Sequence, residues 1–209
     1  MRPESLIFDI DGTIWDSTGI VAAGYNAYLD RIGHPELHVT ADQLKKLFGR
    51  TMTEIADVLF ADFPTHERYD MMRGCMDSEH VFLENDPCRI AFPGVVETLE
   101  KLEKEYCLFV VSNSQSGYPE LMMEKLGVAH LFRGHLCFGD TGKCKGETIK
   151  QLMERHDITS AVYIGDTQGD LEASRMAGIP FIFCRYGFGT PAEWDDAVDS
   201  FPELLDKWK

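Results

Sequence analysis

Leu6-Ile7-Phe8-Asp9-Ile10-Asp11-Gly12-Thr13 is a short apolar run that carries two carboxylates into a Gly-Thr turn. Residues two apart on a strand point to the same side, so Asp9 and Asp11 are expected to share one patch of space where the strand ends. In open α/β sheets, sites form outside the carboxyl ends of the strands. Two carboxylates held that close repel each other, so one takes a proton or a cation sits between them. A hard divalent cation suits oxygen ligands, and Mg2+ suits a site with few carboxylates. An EF-hand loop does not fit. Counted from Asp9, the fifth position is Thr13, and the glycine falls at the fourth position instead of the sixth. On this stretch alone, an ordinary turn after a strand stays as open as an active site.

Working outward, apolar β-rich runs recur at Ser5–Ile10, Tyr106–Ser112, Ser160–Gly165 and Ile179–Cys184, with Leu136–Phe138 as a short fifth. Helical patterns fill the intervals at Val95–Glu105, Pro119–Leu126, Glu147–His156 and Asp170–Ala177. That alternation predicts a parallel, doubly wound sheet. The stretch from Ser17 to Asp86 differs, because it holds no strand-like run. It reads as helix over Ile20–Ile32 and again over Thr65–Glu84, the latter weakened by Gly74. Between these, Thr40-x-x-Gln43 and Thr51-x-x-Glu54 are capping-box patterns that open two further helices. The expected architecture is an α/β, doubly wound parallel-sheet (Rossmann-like) core of residues 1–16 and 87–209, with an inserted helical cap domain at 17–86.

Composition narrows the class. The chain has 209 residues, enough for a sizeable core, and a formal net charge of −15. Such a charge disfavours nucleic acid and anionic membranes as partners, yet leaves room for a small phosphorylated molecule at a local positive site. No basic segment followed by an apolar one opens the chain, and no apolar run reaches membrane-span length, so a cytoplasmic protein is expected. Cys75, Cys88, Cys107, Cys137, Cys144 and Cys184 form no Cys-x-x-Cys and read as buried free thiols of a reducing compartment. His34 and His38 have a metal-like spacing, but Pro35 lies between them and a solvated loop is the reading. Nothing suggests an extensive exposed apolar face, and a monomer is favoured.

Three more strand ends carry chemistry. Leu108-Phe109-Val110-Val111-Ser112-Asn113-Ser114 ends in hydroxyl and amide donors that suit a phosphoryl oxygen, or a helix cap. Lys143-Cys144-Lys145-Gly146-Glu147 sets cations before a helix, where a lysine could offset both a carboxylate and a phosphate, or merely face solvent. Ala161-Val162-Tyr163-Ile164-Gly165-Asp166-Thr167-Gln168-Gly169-Asp170 is a second acidic strand end, with two carboxylates one helical turn apart. Each bland reading is plausible singly. Together, in this order on one sheet, they become improbable.

The ordered set resembles the haloacid dehalogenase-like hydrolase superfamily, and within it the phosphoglycolate-phosphatase-like branch. Those proteins combine Asp-x-Asp-Gly-Thr, a strand ending in Ser or Thr, a lysine, and Gly-Asp-x-x-x-Asp. The resemblance runs from Leu6 to about Gly187 and includes Phe92-Pro93-Gly94-Val95 and Ala177-Gly178-Ile179. One departure stands out: where relatives often carry Lys-Pro-x-Pro, Lys145 precedes Gly146 and Glu147. Lys145 is preferred to Lys143 because it adjoins the helix start.

The resemblance implies that Asp9 attacks phosphorus and forms an aspartyl-phosphate. It implies that Asp11 protonates the leaving alcohol and then deprotonates the hydrolytic water. Mg2+ would be held by the Asp9 carboxylate, the Asp11 backbone carbonyl and Asp166, with Asp170 bound through water or standing behind them. Ser112, Asn113, Lys145 and backbone N–H groups of the Gly12 turn would hold the phosphoryl oxygens. The helical insertion would close over the site and select the substrate, with Arg50 touching an anionic leaving group. A mutase of the β-phosphoglucomutase type is one alternative, although Gly49-Arg50-Thr51-Met52-Thr53 matches its arginine loop poorly. A non-enzymatic receiver-like signalling domain is another, but it would not need Asp11 together with Asp166 and Asp170 around a large insertion.

Overall fold

The computed structural model describes residues 2–87 and 90–208. Its sheet has six strands: β1 (Ser5–Phe8), β2 (Cys107–Ser112), β3 (Phe132–Cys137), β4 (Ala161–Gly165), β5 (Phe181–Cys184) and β6 (Asp196–Val198). Their order is β3-β2-β1-β4-β5-β6, and every neighbouring pair is parallel. The chain winds outward from β1 to β3, then returns to the far side of β1 for β4. A crevice forms at such a reversal, outside the strands' carboxyl ends. Here the reversal lies between β1 and β4, the two strands that run into Asp9 and Asp166.

Parallel strands covered on both faces read as unbroken apolar runs. All four residues of β1 and all five of β4 are buried accordingly. The crossovers are helical: α5 (Val95–Leu102), α6 (Tyr118–Leu126), α7 (Phe138–Thr141), α8 (Lys145–Arg155) and α9 (Gln168–Ala177), in the numbering that also counts α1 to α4 below. Ile149 and Leu152 of α8 and Leu171 of α9 pack with Ile7, Phe109, Tyr163 and Phe181 of the sheet in one core cluster.

Several strand limits differ from the apolar pattern; β2, β4 and β5 start one or two residues later than expected. β1 ends at Phe8, not Ile10, because the chain folds into a turn that closes on the Ile10 carbonyl, with Ile14 N–H donating at 2.7 Å. β3 begins at Phe132, well before Leu136, and Phe138 already opens α7. It is an edge strand, so Arg133, Gly134 and His135 stay partly exposed and break the apolar run. β6 adds a three-residue edge that no apolar run announces.

The chain divides into two compact units, Met1–Asp16 with Ile90–Lys209 and, separately, Ser17–Arg89. The second is helical: α1 (Thr18–Arg31), α2 (Ala41–Lys45), α3 (Met52–Leu59) and α4 (Thr65–Asn85). Thr40 and Thr51 cap α2 and α3 through reciprocal bonds with Gln43 and Glu54. Gly74 does not interrupt α4; the Tyr28 ring of α1 occupies the space its side chain would fill. Gly24 likewise lets the two helices approach, since a Cβ there would lie 2.8 Å from Glu79 Cα. His34 pairs with Glu36 and His38 with Asp30, both at 2.8 Å on the exposed surface. Cys75, Cys137 and Cys184 are buried free thiols, Cys107 is partly buried and Cys144 is exposed. Cys88 lies outside the described residues. Among the described residues, no helix is long and apolar enough to cross a membrane.

Candidate active site

Asp9 follows β1 directly, and its N–H donates to the Ile164 carbonyl of β4 at 2.9 Å. That bond draws the end of β1 to the end of β4. Lys145, the first residue of α8, reaches the same point from a third direction. Its Nζ lies 3.0 Å from Asp9 Oδ1 and 2.7 Å from Asp170 Oδ1, and all three side chains are buried. Lys143 is exposed instead and donates to Gln151.

Asp170 is the third residue of α9 and forms a capping box with Thr167. Its Oδ2 accepts from the backbone N–H of Asp166 and of Thr167 and from the Thr167 hydroxyl. Its Oδ1 takes the lysine. Asp166 is fully buried at the end of β4, with Oδ2 accepting from Phe188 N–H at 2.6 Å.

Burial pushes Asp9 up to about 7, and the Asp170 charge adds to the rise against the pull of Lys145. Asp166 is held well above the usual carboxylate range, first by burial and then by the charges of Asp170 and Asp9. Burial also opposes the charge on Asp170, but Lys145 and the Thr167 donors outweigh it and leave that carboxyl below its ordinary value. Burial lowers the Lys145 ammonium's affinity for its proton, but Asp170 and Asp9 more than restore it.

The cluster therefore sets three carboxylates, with ligand oxygens all within 4.8 Å of one another, against one ammonium. Asp166 Oδ1 is buried and has no hydrogen-bond partner among the described residues. A buried acceptor left so is costly. An all-oxygen donor set with excess negative charge and an orphaned carboxylate oxygen fits a hard divalent cation.

Asp11 is positioned by the turn, not by strand alternation, and its side chain is not among the clustered carboxylates. Its Oδ1 accepts from Trp15 Nε1 and from the Tyr118 hydroxyl, each at 2.9 Å. Neither donor stood out in the sequence. Trp15 sits four residues after Asp11, and Tyr118 is more than a hundred residues away. The Phe188 N–H was equally invisible, since a backbone donor has no sequence signal of its own.

Ser112 is the buried last residue of β2, and its Oγ accepts from Ser114 N–H at 3.2 Å. Asn113 follows in the half-buried turn. In the Gly12 turn, the Gly12 N–H donates to the Trp15 carbonyl at 2.9 Å and the Thr13 N–H donates to the Ile10 carbonyl at 3.2 Å. What Gly12 contributes is a φ of +82° and the absence of a Cβ that would overlap the Asp166 carboxylate. Arg50 belongs to the helical unit, exposed just before Thr51, the N-cap of α3.

A doubly wound sheet with buried carboxylates and a lysine gathered at its switch point defines an α/β enzyme that handles charged groups. The chain belongs to the haloacid dehalogenase-like hydrolase family, whose profile matches residues 6–184. It is 28% identical to a phosphoglycolate phosphatase of Xanthomonas campestris, over 97% of this chain and 95% of the relative. It is equally 28% identical to an N-acetylmuramic acid 6-phosphate phosphatase of Pseudomonas aeruginosa, over 99% and 95%. Among solved structures, a predicted phosphoglycolate phosphatase from Haemophilus somnus superposes with a TM-score of 0.85 at 21% identity, covering 99% of this chain and 98% of the other. That likeness bears on the fold.

Proposed function

We propose that this phosphatase hydrolyses a small phosphomonoester with Mg2+, through an aspartyl-phosphate on Asp9. The observation that carries the reading is the convergence of Asp9, Lys145, Asp166 and Asp170 at the junction of β1 and β4. Asp9 attacks phosphorus as the bond to the leaving oxygen breaks, and Asp11 supplies that oxygen with a proton. Water then attacks the aspartyl-phosphate, Asp11 takes the water's proton, and Asp9 is released with inorganic phosphate. Lys145, Ser112 and Asn113 hold the phosphoryl oxygens while charge shifts onto them. Asp9, Asp166 and the Asp11 carbonyl would hold Mg2+, which would supply the charge neutralisation that a carboxylate needs to approach an anionic ester. Asp170 orients Lys145 and stands behind the metal ligands.

The helical unit, inserted between Asp16 and Ile90, carries Arg50 and is the part of the chain to which we assign substrate selection. Relatives of equal identity are named for phosphate esters of two different acids. A phosphorylated carboxylic acid is therefore the substrate class, with phosphoglycolate its simplest member. A panel of phosphorylated acids, sugars and nucleotides assayed with Mg2+ tests this. Free phosphate should appear fastest from the acids. Enzyme quenched during turnover and treated with hydroxylamine should carry a hydroxamate at Asp9, located by mass spectrometry. Turnover by Asp9→Asn at the unmodified rate sinks the mechanism, and an isomerised hexose phosphate in place of free phosphate points to a mutase.

A further inference from the structure

We propose that Trp15 and Tyr118 are positioning residues that fix which oxygen of Asp11 carries the transferred proton. The inference deepens the acid–base reading of Asp11 and rests on it. Both donors address one atom, Oδ1, at 2.9 Å. An indole N–H can only donate, so Oδ1 is an acceptor. In a neutral carboxyl group, the oxygen that accepts two hydrogen bonds is the carbonyl oxygen. The proton therefore sits on Oδ2, and the plane of the group is set by two rings.

Those rings belong to well-held elements. Trp15 is fully buried; its carbonyl accepts from Gly12 N–H, and its backbone bridges to both Asp11 and Ala91. Tyr118 is buried at the first position of α6. The two rings meet edge to face, with centroids 5.7 Å apart. Asp11 Oδ1 thus receives two neutral donors, neither of them part of the lysine-bearing cluster around Asp9. In the first step, the P–O bond to the leaving group breaks and its electron pair stays on the leaving oxygen. That oxygen takes the Oδ2 proton, an alcohol departs, and Asp11 remains as a carboxylate. In the second step, the carboxylate recovers a proton from the attacking water on the same oxygen.

The leaving group provides the test. An alkoxide needs a proton to depart, whereas p-nitrophenolate leaves without one. The ratio kcat/KM covers steps only through transfer to Asp9, so hydrolysis of the intermediate does not obscure it. We would compare 2-phosphoglycolate with p-nitrophenyl phosphate in Tyr118→Phe, Trp15→Phe and, as reference, Asp11→Asn. Thermal midpoints and the Mg2+ activation constant are measured alongside. Tyr118→Phe keeps the ring and removes only the donor. Its loss on the alkyl ester should exceed its loss on the aryl ester by roughly tenfold, with the same sense in Trp15→Phe. If Asp11→Asn shows this split and both ring variants lose equally on the two esters, the positioning role is overturned while the acid role of Asp11 stands. If Asp11→Asn shows no split, both fall together.

Discussion

The ammonium of Lys145 lies 2.7 Å from Asp170 Oδ1, although the two residues come from the first turns of different helices. Asp170 is itself immobilised through its other oxygen by three donors at the start of α9. The lysine is therefore aimed at Asp9 by a carboxylate that the helix terminus holds in place. Such a chain of contacts turns capping of a helix into orientation of a buried ammonium.

Asp170→Asn should consequently damage more than a cap. It removes a negative charge from a buried ammonium whose other salt-bridge partner among the described residues is Asp9. Breaking one side of a buried ion pair costs about 3 kcal/mol. We expect a urea midpoint lowered to match and turnover reduced by roughly a hundredfold, since a misaimed charge loses much of its worth to the transition state. Unchanged stability together with unchanged turnover would show that Asp9 alone positions the lysine.

The two neighbouring lysines should separate cleanly. Lys145→Met leaves three clustered carboxylates with no ammonium among them, and turnover should fall by roughly a thousandfold or more. Lys143→Met alters an exposed contact with Gln151 and should change stability by less than about 0.5 kcal/mol and turnover by less than about twofold. Equal losses in the two variants would refute the assignment of Lys145.

Much of this site could be read from residue order, because its charged members stand at the ends of unbroken apolar runs. Asp9 and Asp166 follow the buried strands β1 and β4, where a carboxylate has no packing reason to be. Lys145 was legible as the preferred of two cations before a helix, because it adjoins the helix start. Its burial came from the reach of α8 across the sheet, which no local pattern encodes. Trp15 and Tyr118 were silent for the same reason: an aromatic residue reads as core until its polar atom is seen to point at Asp11. β6 was missed because three edge residues, one of them exposed, make no periodic signal. The internal bonds of the Gly12 turn were likewise not legible, since backbone donors and acceptors carry no side-chain signal.

Acidic pH and Mg2+ should compete. Asp9 binds its proton more tightly in the folded protein, with a value near 7 against an ordinary 3.8. The folded state is therefore favoured at low pH by this group, and that contribution is lost as pH rises from about 3.8 to about 7. Asp166 acts in the same direction. Asp170 acts oppositely: its contribution is present above 3.8 and disappears as pH falls through its lower folded value. A cation that binds the ionised forms of Asp9 and Asp166 offsets the loss at neutral and alkaline pH, but at acid pH must first displace protons. Thermal unfolding with Mg2+ or chelator should show a larger rise in midpoint at about pH 8 than at about pH 5. An equal rise at both would mean that the ion does not bind these carboxylates.

Gly187→Ala offers a test of the loop after β5 that leaves every charged group intact. Tyr186 anchors this loop by donating its hydroxyl proton to the Thr13 carbonyl at 2.8 Å, and Phe188 N–H holds Asp166 Oδ2. Between them, a Cβ on Gly187 would overlap the Asp166 side chain and lie 2.5 Å from the Gly12 carbonyl oxygen. The glycine's φ is not in the left-handed region, so the penalty is one of space and not of backbone strain. Overpacking of this kind costs about 1–3 kcal/mol. Because the side chain displaced is that of Asp166, a proposed metal ligand, the Mg2+ concentration for half-activity should rise by about tenfold, as when the support of a ligand is removed. Turnover at saturating Mg2+ should recover most of its value. Gly19→Ala is the matched control: nothing lies within 4 Å of its added methyl, and in α1 it should leave Mg2+ activation unaltered. A Gly187→Ala enzyme with an unchanged Mg2+ requirement would mean that Asp166 is held by β4 and α9 alone, with the Phe188 bond contributing nothing to the metal ligand's placement.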